Sequence, residues 1–191
     1  AFSGCESLWA LSLTDGVRAI GREAFAGCGG LDSLSLSSSV ETIGEGAFRG
    51  CARLAAISLP EGVASVADGL FEGCAALSDV RLPEGLSAVG ANAFSGCAAL
   101  TALELPGSVR WIQDGAFRDC RALKKIGLPD GLESLGADAF SGCAALEAMT
   151  IPGGIRELAD GALRGCESLS SVTLPGTLTR VGASAFENDR A

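Results

Sequence analysis

The sequence contains no histidine and no tyrosine among its 191 residues. Without histidine, it has neither the most common general base nor the Ser-His and Cys-His pairs that activate nucleophiles. Lysine occurs only at Lys124 and Lys125, and 23 acidic side chains against 14 basic ones give a net charge of −9. Because an acidic chain repels phosphate groups, we expect no nucleic acid partner.

Several sequence motifs are also absent. No apolar run approaches the roughly 18 residues that a membrane-spanning helix requires, and the chain has no C-x-x-C pair, P-loop or dinucleotide-binding glycine motif. We therefore expect no membrane-spanning segment, no cofactor, no metal centre and no enzymatic activity. The chain starts at Ala1 without a signal-peptide pattern, which indicates either a removed targeting segment or a piece of a longer protein.

A regular repeat dominates the sequence. The eight cysteines occur every 23 residues without exception, from Cys5 to Cys166. A fixed period through a whole chain indicates one small unit that is copied and stacked. We therefore predict a single solenoid over residues 1–191, with eight units that start at residues 1, 24, 47, 70, 93, 116, 139 and 162 and a terminal remnant at 185–191.

Each unit carries the same order of local signals. A segment L-x-x-[LIVM]-x-L alternates apolar and variable residues at its end, which predicts a short strand with its last two apolar side chains pointing inward. Proline follows this strand in six units and ends it, because proline cannot donate to a ladder. A second apolar pair predicts a second extended piece. Asp, Asn or Ser before A-F-x-G-C then predicts one capped helical turn.

These motifs combine into the pattern L-x-x-[LIV]-x-LP-x-G-[VL]-x-x-[IV]-G-x-x-AF-x-GC-x-x-L, which covers essentially the whole chain and resembles the BspA-type leucine-rich repeat. The resemblance implies a right-handed solenoid of mainly parallel β structure with short helical turns. It also implies a role in adhesion or protein binding, a cell-surface or secreted location, and no family-wide catalytic residues.

A longer period overlies the 23-residue one. The units starting at 70 and 116 share LP-[ED]-GL-x-x-x-GA, whereas those starting at 93 and 139 share AFSGCAAL and end in Asp-Gly. This 46-residue superperiod points to duplication of a two-unit block. We expect alternate coils to differ in cap geometry, with the cap at Asp in one class and at Asn, Asp or Ser one residue later in the other. The Asp-Gly pairs could bind Ca²⁺ weakly, but capping explains them better; they start at Asp68, Asp114, Asp130 and Asp160.

The cysteine column has three interpretations: a buried thiol ladder, disulfides or a metal site. Equivalent residues of stacked coils lie about 4.8 Å apart, within the Cα range of a disulfide, but their Cβ vectors run parallel. Buried cysteine also packs as a small hydrophobic residue. A zinc site lacks both C-x-x-C spacing and histidine ligands. We favour the thiol ladder and leave disulfides as the open alternative.

Candidate binding residues are those that break the repeat at exposed positions. On the first strand, charge gathers in the central units, from Asp79 to Glu147. On the second, Arg110 and Trp111 lie beside Arg156 and Glu157 two coils on. Exposed Trp and Arg are favoured as interface anchors. The predicted binding residues are Trp111, Arg110, Trp9, Asp79, Arg81, Glu104, Lys124 and Lys125; ordinary surface variation, or a preceding coil that covers Trp9, is the alternative.

The two ends of the repeat differ. The first unit has no polar cap before its core pattern, so Phe2, Leu8, Leu11 and Leu13 are expected to form an apolar end that meets more chain or another subunit. At the other end, Asp189 takes the cysteine position among polar residues, which predicts a stop to the ladder.

Together these features predict a non-enzymatic protein–protein interaction module for adhesion or recognition. Its partner is another protein or a larger complex, and the uncapped N-terminal end is one expected contact. The alternative is a structural bridging subunit of a large multi-protein assembly, which would place the protein inside the cell rather than on its surface.

Overall fold

The structure, a computed structural model, describes residues 1–187. These residues form a parallel β-solenoid in which each 23-residue unit is one coil, as the sequence predicted. Ala10 and Ser171, which begin the first and last of the longer strands, are 161 residues apart, or seven turns of 23. The described residues include no helix long and apolar enough to span a membrane.

Each coil contributes one strand of three residues and one strand of two residues. The three-residue strands are β1 (Ala10–Ser12), β3 (Ser33–Ser35), β5 (Ala56–Ser58), β7 (Asp79–Arg81), β9 (Ala102–Glu104), β11 (Lys125–Gly127), β13 (Ala148–Thr150) and β15 (Ser171–Thr173). The two-residue strands are β2 (Ala19–Ile20), β4 (Thr42–Ile43), β6 (Ser65–Val66), β8 (Ala88–Val89), β10 (Trp111–Ile112), β12 (Ser134–Leu135), β14 (Glu157–Leu158) and β16 (Arg180–Val181).

Neighbouring coils pair in parallel with a register equal to the repeat. Ala10 of β1 lies opposite Ser33 of β3, and Trp111 of β10 lies between Ala88 and Ser134. Because the register is 23 residues, equivalent residues of successive coils lie on top of one another. Each position of the unit therefore becomes a column that runs along the solenoid.

The core consists of such columns. The phenylalanine, cysteine and leucine columns are fully buried in the central coils, where Phe94, Cys97 and Leu100 are each 0% exposed. The phenylalanine rings stack from Phe2 to Phe140, with neighbouring centroids 5.2–6.0 Å apart and ring planes within 25°. Stacking one ring on the next continues the core from coil to coil.

The two predicted extended segments are both present. The middle residue of each three-residue strand points inward, as Leu103 does in β9, while the following apolar residue, Leu105, is only partly buried. The proline after the strand closes a turn, since the Pro106 carbonyl accepts a hydrogen bond of 3.1 Å from the Val109 N–H. This turn carries the chain from the first strand to the second.

The expected helical turn at A-F-x-G-C is wrong: among the described residues this segment is a series of turns. Local bonds from residue i to i−3 are present, such as Cys28 N–H to the Phe25 carbonyl at 3.1 Å. The alternate N–H groups, however, point to the next coil: Phe25 donates to Ala47 at 2.9 Å and Gly27 donates to Arg49 at 2.7 Å. In a helix, consecutive N–H groups donate to carbonyls of the same segment. Because every second N–H group here donates to the neighbouring coil, the segment cannot form a helix.

The expected difference in cap geometry between alternate coils does not extend to the backbone conformation at the end of the unit. The last residue of every unit is left-handed, with φ between 51° and 63°, whether it is glycine or not. The non-glycine members of this column are Glu23, Asn92, Asp138 and Ser184. A two-coil alternation does occur in the sheet, because the three-residue strands pair only two by two: β1–β3, β5–β7, β9–β11 and β13–β15.

The phenylalanine column yields the first prediction. Phe94→Ala removes a fully buried ring stacked on both sides and should lower the free energy of unfolding by about 3–5 kcal/mol, measured by denaturant titration. Phe2→Ala, at a ring that is 47% exposed and stacked on Phe25, is the matched control and should cost clearly less. Equal losses for both variants would contradict the stacked-column description of the core.

Candidate functional site

The exposed side of the three-residue strands carries the predicted charges. We define the charged strip as Asp79, Arg81, Glu104, Lys124, Lys125 and Glu147, all of which are exposed. Asp79 and Arg81 flank Val80 in β7 because successive side chains in a strand point to opposite faces. Glu104 ends β9 and lies beside Gly127 of β11. The strip is thus a row on one face of three neighbouring coils and the start of a fourth.

Part of the charged strip borders a shallow cavity. Lys124, Lys125 and Glu147 line a space of about 350 Å³ between β11 and β13, which do not pair with each other. Met149 adds an apolar wall, and Gly127 contributes no side chain. Two ammonium groups beside an apolar wall suit a partner side chain that combines a carboxylate with a hydrocarbon stem. Asp79, Arg81 and Glu104 do not line this cavity.

Trp111 lies on the other strand column, in β10. Its side chain is 45% exposed, and the neighbours in register are the small residues Ala88 and Ser134. Arg110, predicted to act with it, is held elsewhere: its Nη1 donates to the carbonyls of Gly107 at 2.9 Å and Val109 at 3.2 Å. The structure therefore separates the two, leaving the indole available and binding the guanidinium to its own turn.

A larger groove opens one coil beyond Trp111, between β12 and β14. Its volume is about 740 Å³, and the two strands beside it do not pair. Trp111 does not line the groove, although its register partner Ser134 does. The charged residues of the lining are Asp114, Glu133, Arg156, Glu157, Asp160 and Arg180.

Sequence reasoning identified Arg156 and Glu157 but missed Glu133 and Arg180. These two residues occupy the same columns as Arg156 and Glu157, respectively, so aligning the units could have found them. Arg180 forms an ion pair with Glu157 at 3.4 Å. Both side chains are mostly exposed, so this pair adds little to stability and its groups can exchange for those of a partner.

The first coil places Trp9 and Phe2 at the surface. Trp9 is 73% exposed and Phe2 is 47% exposed, whereas Leu8, Leu11 and Leu13 are partly buried against the core. The backbone of Trp9 is nevertheless fixed, because its carbonyl accepts the N–H groups of Asp32 and Ser33. The predicted stop at the opposite end, with Asp189 in the cysteine column, lies outside the described residues.

The cysteine column has a specific hydrogen-bond arrangement. All eight cysteines are free thiols, and those from Cys28 to Cys166 are buried. Each buried Sγ lies 3.0–3.3 Å from the carbonyl oxygen of a phenylalanine 26 residues earlier, as Cys97 does from Phe71. Each of these phenylalanine carbonyls also accepts the backbone N–H of the cysteine in its own coil. The thiol from the next coil therefore uses the second lone pair of the carbonyl oxygen.

Burial of these thiols shifts their ionisation. Desolvation is the largest cause, and it raises the pKa of Cys51 and of Cys120 to about 12 from an ordinary value of 9.0. The pKa values of Cys74 and Cys97 are also raised by burial, and neighbouring cysteines add to the effect. A thiol with a raised pKa is a poor nucleophile and a poor metal ligand at neutral pH. Within residues 1–187, no group of three Cys, Asp or Glu side chains is placed to hold a metal ion.

Known proteins resemble this chain over nearly its whole length. The profile of the BspA type leucine rich repeat region matches residues 1–101 and 87–190, in six copies. A leucine-rich repeat protein from Bacteroides ovatus has 32% sequence identity and a TM-score of 0.86, over 92% of this chain and 47% of that one. A leucine rich repeat protein of T. pallidum has 33% identity and a TM-score of 0.66, over 92% of this chain and 73% of that one.

The chain spans about half the length of the Bacteroides ovatus protein. A comparison with curated proteins finds no match.

The buried thiols predict a loss of stability at alkaline pH. The unfolded thiols ionise near pH 9, while the folded ones stay protonated to about pH 12, so the free energy of unfolding should fall across this window. The slope should reach up to about 1.4 kcal/mol per pH unit for each buried thiol. Denaturant titrations from pH 8 to 11 measure it. Cys97→Ala should make the slope shallower and Cys5→Ser, at the exposed cysteine, should not; identical slopes in all three proteins would contradict the assignment.

Proposed function

Because the chain belongs to the BspA-type leucine-rich repeat family, we propose that it is a non-enzymatic module that binds another protein in adhesion or recognition. Proteins of this repeat type present a rigid surface whose core residues are shared by all coils. Specificity then rests on the exposed residues that differ between coils. Here those residues are the charged strip on one face and Trp111 on the other.

Trp111 is the observation that carries the proposal. Tryptophan combines a large apolar surface with an N–H donor and is enriched among the residues that dominate interface energies. Its strand neighbours, Ala88 and Ser134, are too small to cover the ring. A rigid two-residue strand holds its backbone, so little conformational entropy is lost when a partner packs on it.

The charged strip supplies the second proposed contact. Lys124 and Lys125 are the only lysines of the chain and stand together beside an apolar wall. In a protein of net charge −9, this pair is a local basic spot that would steer a carboxylate-bearing partner. Exposed Phe2 and Trp9 in the first coil are a third proposed contact.

One observation favours the alternative of a structural bridging subunit. The candidate contacts lie on both strand columns of the coil, the charged strip beside β7 to β13 and Trp111 in β10. Two partners could therefore bind at the same time without competing for one surface. Cross-linking that captures two different proteins on a single chain, one lost with Trp111→Ala and the other with Lys124→Ala/Lys125→Ala, would favour bridging.

The proposal is tested with Trp111→Ala. We expect proteins captured by the wild-type chain to be recovered at least about 10-fold less by this variant, by quantitative mass spectrometry. Thr42→Ala changes an exposed residue of the same column, three coils away, and should capture the same proteins as wild type. Because Trp111 is 45% exposed, its removal should destabilise the protein clearly less than Phe94→Ala does. Equal capture by all three proteins would count against Trp111 as the anchor.

A further inference from the structure

We infer that the structural unit of this solenoid is an interlocked pair of coils and that coils can be removed from it only two at a time. Such pairing is a property of the solenoid itself and does not depend on the proposed partner. We call the coils that start at residues 1, 47, 93 and 139 odd coils, and those that start at 24, 70, 116 and 162 even coils. Each odd coil and the even coil after it form one coil pair.

The pairing of the three-residue strands divides the chain into these pairs. β5 pairs with β7 and β9 pairs with β11, but β7 and β9 do not pair. The same break separates β3 from β5 and β11 from β13. Within residues 1–187, every break on this face falls between an even coil and the next odd coil. On this face the boundaries therefore recur every 46 residues, the period of the sequence alternation. The two-residue strands keep the break between β4 and β6 and between β12 and β14, whereas β8 and β10 pair across it.

Glycine at one position fixes the close contact within a pair. The third-last residue of each even coil is glycine, at Gly44, Gly90, Gly136 and Gly182, and an added Cβ there would overlap the backbone of the preceding odd coil. For Gly90 that Cβ would lie 2.7 Å from the Asp68 nitrogen. Three odd coils instead carry Ala67, Gln113 and Ala159 at this position. The backbone is thus tighter from odd to even than from even to odd.

An aspartate in the odd coil completes the contact. Oδ1 of Asp68, Asp114 and Asp160 accepts a hydrogen bond of 2.8 Å from the N–H of Ala91, Ala137 and Ala183, respectively, in the even coil that follows. The carboxylate occupies the space that a side chain on the neighbouring glycine would need. An aspartate at this position of the odd coil therefore needs glycine in the even coil that follows, whereas in the first pair Gly44 faces the backbone of Arg22 instead.

A different match joins one pair to the next. Asn92 and Asp138, the last residues of two even coils, lie over Gly115 and Gly161 of the following odd coils, where an added Cβ would overlap their side-chain oxygens. Asp138 also bridges two arginines, with 2.6 Å to Arg118 and 3.0 Å to Arg164. A polar residue at this position must meet a glycine in the next coil, so the even coils that end in Asn92 and Asp138 fit before an odd coil that ends in glycine.

Removing one coil breaks at least one of these matches. Deleting residues 93–115 brings Asn92 over Asp138 in place of Gly115, and Ala91 replaces Asp114 as the partner of Ala137. Deleting residues 116–138 brings Ala159 against Asp114 in place of Gly136. Deleting residues 93–138 instead places Asn92 over Gly161, which repeats a native contact. Each deletion joins a residue that precedes Ala-Phe in the native chain to another Ala-Phe, so every covalent junction repeats a native local sequence.

The experiment compares the thermal unfolding of these three deletion variants by circular dichroism. We expect the 46-residue deletion to unfold in one cooperative transition, and each 23-residue deletion, although it keeps more chain, to melt at least about 5 °C lower. A solenoid of independent coils predicts the opposite order, because stability then grows with the number of coils. Single-coil deletions that melt as high as the two-coil deletion would overturn the inference.

Point variants decide the question if the deletion variants do not fold. Gly136→Ala forces a Cβ onto the backbone of Asp114 and should lower the melting temperature by at least about 5 °C. Gly85→Ala is the matched control, since an added Cβ there meets nothing within 4 Å. Equal melting temperatures for the two variants would show that the contact within a pair is not tight and would overturn the inference.

Discussion

Hydrogen bonding between neighbouring coils is the constraint on which the rest of this structure depends. On the turn side, alternate N–H groups such as that of Phe25 donate forward to the next coil, and on the strand side, N–H groups such as that of Asp32 donate backward. A single coil therefore leaves many of its backbone polar groups unpaired, and an unpaired buried group costs about as much as a lost hydrogen bond. The coils are stable only as a stack, and the fixed 23-residue register follows from that need. The columns of phenylalanine, cysteine and leucine are a consequence of the same register.

Much of the fold could be predicted from the sequence, because every coil carries the same order of local sequence signals. The strands and the buried columns each have a local signal that recurs in all eight units, and the proline turn has one in six of them. The helical turn could not be predicted correctly, since Asp, Asn or Ser before a short apolar segment is also the signal of a helix N-terminus. The deciding bond joins Phe25 to Ala47, 22 residues later, and no local pattern encodes it. The similar φ angles of Gly115 (61°) and Asp138 (52°) likewise show that the stack, not the residue type, sets the backbone there.

The candidate site was predictable to a smaller degree. Exposure of Trp111 and of Asp79 and Arg81 follows from the alternation of side chains along a strand, which the sequence shows directly. The hydrogen bonds from Arg110 to the carbonyls of its own turn could not be predicted in this way, because they depend on the path of a long side chain over Gly131. The groove beside Glu133 and Arg180 was missed for a different reason: it exists where β12 and β14 fail to pair.

These observations together restrict where function can reside. The inward columns are fixed by packing, and a change of one methylene there is felt by the neighbouring coils. The end of each unit is fixed as well, since Asp114 requires Gly136 and Asp138 requires Gly161. Only the outward side chains of the strands and the tips of the proline turns remain free to vary without disturbing the stack. On the three-residue strands, charge is concentrated in the central coils, where Trp111 also lies, whereas the strands of the first coils carry mainly serine and alanine. A repeat that is so constrained elsewhere can acquire a specific partner only through such residues. For this reason we propose binding at Trp111 and the charged strip rather than at the cysteines.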